Sequence, residues 1–243
     1  MTTQNSSPAF SPDSEMLIVE DLMLLLLDDQ KGSVAGAQSL QFILGGGLLV
    51  ELALRERVRQ EPKKSLLTGR KILAVGEGPL PDPLLQEAYD TIAEKPRGAP
   101  AVLGKIGKGL PRVVPARLVE RGMLRESKSR LLGIVPRTLH PAEDPSREIS
   151  VRRKVRAVLA DGLSPDPRTA SLIALLSAGG TLKASLRDMD PPLTWSSDIR
   201  KRGQEIQEGD WGAAAVSDAV KAAAASIAAV AGTAAASAAA AST

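Results

Sequence analysis

Between residues 97 and 130 a basic side chain recurs every few positions. Arg97, Lys105, Lys108, Arg112, Arg117, Arg121, Arg125, Lys128 and Arg130 stand against only Glu120 and Glu126, a local balance of +7 (9 − 2). Guanidinium and ammonium groups at this density hold anions, either nucleic-acid phosphates or lipid head groups. Residues 52–71 add seven Lys/Arg against two Glu, or +5 (7 − 2), while residues 1–30 carry six acids and no base. A net charge of only +3 therefore hides a concentrated basic middle. A set of solvated helix faces would have the same composition, so both readings stand at this level.

Other chemistries are poorly supplied. There is no cysteine, which excludes disulfides, thiolate nucleophiles and cysteine metal sites. The single histidine, His140, leaves one conceivable Ser-His-Asp triad and few metal sites, and its neighbour Pro141 makes a turn role the default. No nucleophile, acid–base pair or metal cluster is arranged, so a binding protein without a cofactor is expected rather than an enzyme. The run Gly45-Gly46-Gly47 is followed by Leu48 and Leu49, not by the Lys-Ser/Thr of a phosphate loop, and it lacks dinucleotide-fingerprint spacing. Close backbone approach inside a helical core is the plainer reading, with an anion-facing loop ahead of a helix as the alternative. Glu51 and Arg55, at i and i+4, read as a structural ion pair.

The elements that must position these residues are mostly helices. Residues 1–14 are rich in Ser, Pro and Thr and read as a disordered arm. Met16 to Leu27 is apolar nearly all round, the mark of a helix inside a helical core. Asp82-Pro83, Asp144-Pro145 and Asp166-Pro167 each read as a helix start, with the carboxylate as cap and proline in the first turn. Val151, Val155, Val158 and Leu159 share one helical face, with Arg152, Arg153 and Arg156 on the other. Gly162 and the pair Gly179-Gly180 mark helix ends. "RLVERGML" predicts a short helix stopped at Gly122, with Pro111 and Pro115 limiting its length. "LRESKSRLLGIVP" predicts a β-hairpin, the one strand region expected. The uncharged segment Ala222 to Ala241 is alanine-rich rather than strongly apolar, so it reads as a packed helix fraying into a tail, not a membrane span. No basic n-region precedes "MLIVEDLMLLLL", so a secretory signal is not expected.

Several of these stretches together resemble the Golgi phosphoprotein 3 family: "EDLMLLLLDDQKG", "LLVELALRERV", "KKSLLTGRKI", "DPLLQEAYDTI", "LVERGML", the "LHP" after the hairpin, "RRKVRAVL" and "DPRTASLIALLSA". They run in order from about Leu17 to about Val230. The resemblance implies a mainly α, single compact helical domain with one protruding β-hairpin, over residues 15–231, followed by an Ala/Ser-rich tail at 232–243. It also implies an adaptor that binds phosphatidylinositol 4-phosphate and holds membrane-protein cytosolic tails. The family's head-group tryptophan falls near Gly36, one arginine at Gly45, and an arginine pair at Lys108 and close to Pro111 and Arg112. Most of that pocket is therefore missing, which suggests a divergent bacterial relative.

The function expected is a peripheral membrane-binding adaptor on the cytosolic face, using a basic surface for anionic lipids, phosphoinositide being one candidate. Gly45, Lys105, Lys108 and Arg112 are the candidate head-group residues. Leu131, Leu132, Ile134 and Val135 are the candidate membrane-contacting hairpin residues, although packing the hairpin onto the core is the alternative for them. A homo-oligomer is a further possible partner arrangement. The competing reading is a winged-helix nucleic-acid binder, in which the hairpin is the wing. Against it, aromatics make up only 2% of the chain, so stacking platforms are scarce, and residues 97–130 hold no Asn or Gln to read bases.

Overall fold

A helix apolar on every side must be surrounded, and the computed structural model places the first helix in just that position. The structure describes residues 16–28, 33–61, 70–131, 135–187, 189, 191–209 and 214–240, with the backbone alone for 128–131, 135–139, 214–216 and 234–240. The expected N-terminal arm lies outside the described residues. In chain order the elements are α1 (Ile18–Leu26), α2 (Leu40–Leu54), β1 (Val58–Gln60), β2 (Lys71–Ala74), α3 (Pro83–Ala93), β3 (Arg97–Gly98), α4 (Ala99–Ile106), α5 (Leu110–Glu120), β4 (Ser127–Leu131) and β5 (Val135–Leu139). They continue with α6 (Ser146–Leu159), α7 (Pro167–Ala178), α8 (Leu182–Ser185), α9 (Ser197–Glu208) and α10 (Ala214–Ala240). The fold is mainly α with a hairpin, as the sequence predicts.

α2 is the hub, packed against α1, α4, α7 and α10. Its glycine run explains how. Successive helical residues turn by about 100° around the axis, so three in a row look at three different neighbours. A Cβ on Gly45 would sit 2.9 Å from the Leu103 carbonyl oxygen of α4. One on Gly46 would sit 2.9 Å from Leu175 Cδ2 of α7, and one on Gly47 2.9 Å from Leu22 Cδ1 of α1. The glycines therefore let three helices approach one, which is the close-approach reading; they do not form a loop.

The helix starts follow their carboxylates. Asp82 accepts from Leu84 N–H at 2.9 Å, and Asp166 accepts from the N–H groups of Arg168 and Thr169 at 3.0 Å. Asp144 does the same for Ser146 N–H at 2.9 Å, although α6 begins one residue later than its Asp-Pro suggests. Val151, Val155, Val158 and Leu159 are buried as predicted. The opposite face is less free than expected. Arg152 pairs with Glu148 at 2.6 Å, and Arg156 donates to the Pro191 carbonyl at 2.9 Å, leaving Arg153 and Lys154 exposed.

Three expectations need correction. α5 runs through both prolines: Pro111 occupies the first turn, where no N–H is missed, and Pro115 is buried inside the helix. The hairpin is not the sole strand region, because β1, β2 and β3 form an antiparallel sheet with Ile72 buried at its centre. Strands of three, four and two residues are too short to show alternation. Finally, α10 continues to Ala240, past the boundary at 231, with Ala219, Val220, Ala223, Ala224 and Ile227 buried against the body and Ala228 and Ala229 exposed. The hairpin pairs Ser127 with Leu139 through to Leu131 with Val135, and the two strands pack chiefly on each other, so it protrudes.

Candidate functional site

The dominant cluster of charge is inside the protein, and sequence reasoning missed it. Glu20 and Asp21 are adjacent on α1 and fully buried. Glu20 accepts from Leu17 N–H at 2.7 Å and Arg117 Nε at 2.7 Å, and Arg121 Nε lies 3.0 Å away. The same Arg117 guanidinium donates to both oxygens of Asp82, tying α5 to the cap of α3. Asp21 takes Arg147 and Arg168, each at 2.7 Å. Glu51 takes Ile18 N–H at 2.9 Å, Arg55 at 3.1 Å and Arg168 at 3.4 Å. The predicted Glu51–Arg55 pair is thus present as part of a larger network that joins α1, α2, α3, α5, α6 and α7.

Such a cluster survives burial only because each carboxylate meets guanidinium groups that also satisfy its lone pairs. Burial alone would weaken the charge on Arg117, but Glu20 first and Asp82 second outweigh it and hold its pKa above the usual arginine range. The signal available in the sequence was a pair of adjacent acids in a helix otherwise apolar all round. Carboxylates forced into a core need cations, though nothing in a linear chain says which arginines come.

This network removes two residues from the expected surface. Arg117 and Arg121 face inward, which leaves a winged-helix reading only Arg112 as an exposed arginine on α5. Arg125 remains exposed but lies 3.6 Å from Glu143. Gly45 also leaves the candidate head-group set: it is buried mid-helix under α4, where no head group reaches it.

Three of the remaining candidates fall where α4 gives way to α5. Lys105 ends α4, Lys108 lies in the turn that follows, and Arg112 stands in the first turn of α5; all three are exposed. Lys105 is 3.8 Å from Glu94, whose carboxyl is held below its ordinary pKa by Arg97 first and Lys105 second. Lys108 and Arg112 pair with no carboxylate among the described residues, and Val113 beside them is exposed too. Lys128 and Arg130 lie on β4, but their side chains, with those of Leu131 and Val135, are outside the described part. Leu132 and Ile134 lie outside the described residues altogether, as do most of "KKSLLTGRK" and Trp211. Trp195 packs partly buried against the core.

Among the described residues no cluster of His, Asp and Glu is placed to hold a metal ion, and no helix is long and apolar enough to cross a membrane. The model of the Golgi phosphoprotein 3 (GPP34) family covers residues 18–223, from the first buried helix to the middle of the last. With most of the chain inside that match, the protein belongs to the Golgi phosphoprotein 3 family.

Proposed function

We propose that this protein is a peripheral membrane-binding adaptor that meets anionic lipid through the α4–α5 corner. The observation that supports this most is the group Lys105, Lys108 and Arg112, exposed within eight residues and with two of the three unopposed among the described residues, in a chain of this family. Each base near an anionic surface contributes about 1 kcal/mol, and the contribution decays within a Debye length of roughly 8–10 Å in ordinary salt. Val113, 47% exposed beside Arg112, gives the corner an apolar contact for the interface. Cytosolic tails of membrane proteins remain the proposed protein partners, on family resemblance, and a homo-oligomer is a further proposal.

Flotation with neutral and anionic liposomes at low and moderate salt tests the reading. Neutralising Lys105, Lys108 and Arg112 to Gln should remove about 3 kcal/mol, or some two orders of magnitude in affinity, at low salt. A triple variant that floats like the parent sinks the assigned surface. Duplex DNA should fail to displace the parent from anionic vesicles; displacement at moderate salt would instead favour nucleic acid.

A further inference from the structure

The cleft next to these cations has a wall of the opposite sign. Glu87 and Thr91 on α3 line it from one side, and Lys105 and Lys108 from the other, with Leu48 and Ile106 buried beneath. Glu87 and Lys108 share this cleft, yet the side chain of neither forms an ion pair or hydrogen bond with any described residue. Here the two signs are held apart in one recess.

That arrangement discriminates by chemistry. A purely anionic ligand meets repulsion from Glu87, and a purely cationic one meets two lysines. A ligand carrying a phosphate and a primary ammonium a few bonds apart satisfies both walls. The ammonium can donate to the Glu87 carboxylate and the Thr91 hydroxyl, which a quaternary ammonium cannot do. Val113, which also lines the cleft and is half-exposed, is suited to meeting the lipid's apolar portion. We infer that the cleft between α3 and the α4–α5 corner binds the head group of a bilayer aminophospholipid, phosphate toward Lys108 and Lys105 and ammonium toward Glu87. This rests on the membrane reading above and narrows its ligand.

The test uses the full chain and vesicles of phosphatidylcholine with a fixed fraction of phosphatidylglycerol. In a second set, part of the phosphatidylcholine is replaced by phosphatidylethanolamine at unchanged surface charge. The replacement should raise affinity about tenfold, the equivalent of one charge-assisted hydrogen bond. Soluble glycerophosphoethanolamine in excess should abolish that gain while glycerophosphocholine does not, which separates head-group recognition from a change in bilayer packing. Glu87→Gln, at an exposed position, should lose the gain and keep binding driven by phosphatidylglycerol. A parent without the gain, a Glu87→Gln variant that retains it, or equal competition by both soluble head groups overturns this inference and leaves the membrane reading standing. Absence of binding to every vesicle overturns both.

Discussion

Glu20 shows why counting charges along a chain misplaces them. The reading from composition put Arg117 and Arg121 on a docking face, because every base between 97 and 130 looked alike. In the folded protein those two are consumed by a carboxylate with no exposure, while Lys108 and Arg112, only a few residues away, meet no carboxylate among the described residues. The difference is set by which side of α5 meets α1, information absent from local sequence. Removing Glu20 leaves the Arg121 Nε and the Arg117 Nε, the latter on a guanidinium still held by Asp82, facing a void in the core. Glu20→Ala should therefore cost about 3–5 kcal/mol, the usual consequence of breaking a buried pair from one side. Urea unfolding followed by fluorescence or circular dichroism measures it; a shift under about 1 kcal/mol would mean that the network relaxes around the loss.

At the level of elements, the local signals were read most faithfully where one residue does one job. Aspartates ahead of prolines found helix starts, and left-handed glycines such as Gly122 and Gly162 marked ends. Asp166 illustrates the chemistry. Burial pushes its carboxyl pKa up, but the Thr169 hydroxyl and the N–H groups of Thr169 and Arg168 outweigh this and hold it below the ordinary value of 3.8. A carboxyl whose pKa is lower folded than unfolded stabilises fully above the unfolded value and loses that contribution as pH falls through the folded one. Asp166→Ala should cost about 0.5–2 kcal/mol at neutral pH. The deficit relative to the parent should shrink below pH 3.8, as thermal melts across that window would reveal. The small β1–β2–β3 sheet was illegible for the opposite reason. Its strands are defined by partners across intervening segments, not by any pattern of their own.

For the molecule as a whole, an ordered series of short matches supported the architecture more securely than any one motif did. The candidate site was legible only in part: the α4–α5 corner was anticipated, whereas Glu87 was not, because it comes to the cleft from a different helix. The long last helix divides into a part that belongs to the body and a part that leaves it. Ending the chain at Thr233 should leave the melting temperature close to the parent's. Ending it at Ser217 removes Ala219, Val220, Ala223, Ala224 and Ile227 from beside α2 and α7, and should prevent stable folding. Limited proteolysis and calorimetry of the two truncations would compare them; equal stability would mean that the body closes without the helix.

Gly45 bears on any attempt to retrofit the family's phosphoinositide preference. The natural idea is to put back the arginine that relatives are expected to carry there. Yet the first carbon of any new side chain would press on the α4 backbone at Leu103, and Gly107 beneath it already admits no Cβ because of the Gln41 carbonyl. Even Gly45→Ala should cost about 1–3 kcal/mol as overpacking. The two helices have settled at a separation that excludes a long residue at this crossing. Placing a long side chain at this crossing would therefore require moving a helix rather than exchanging one residue.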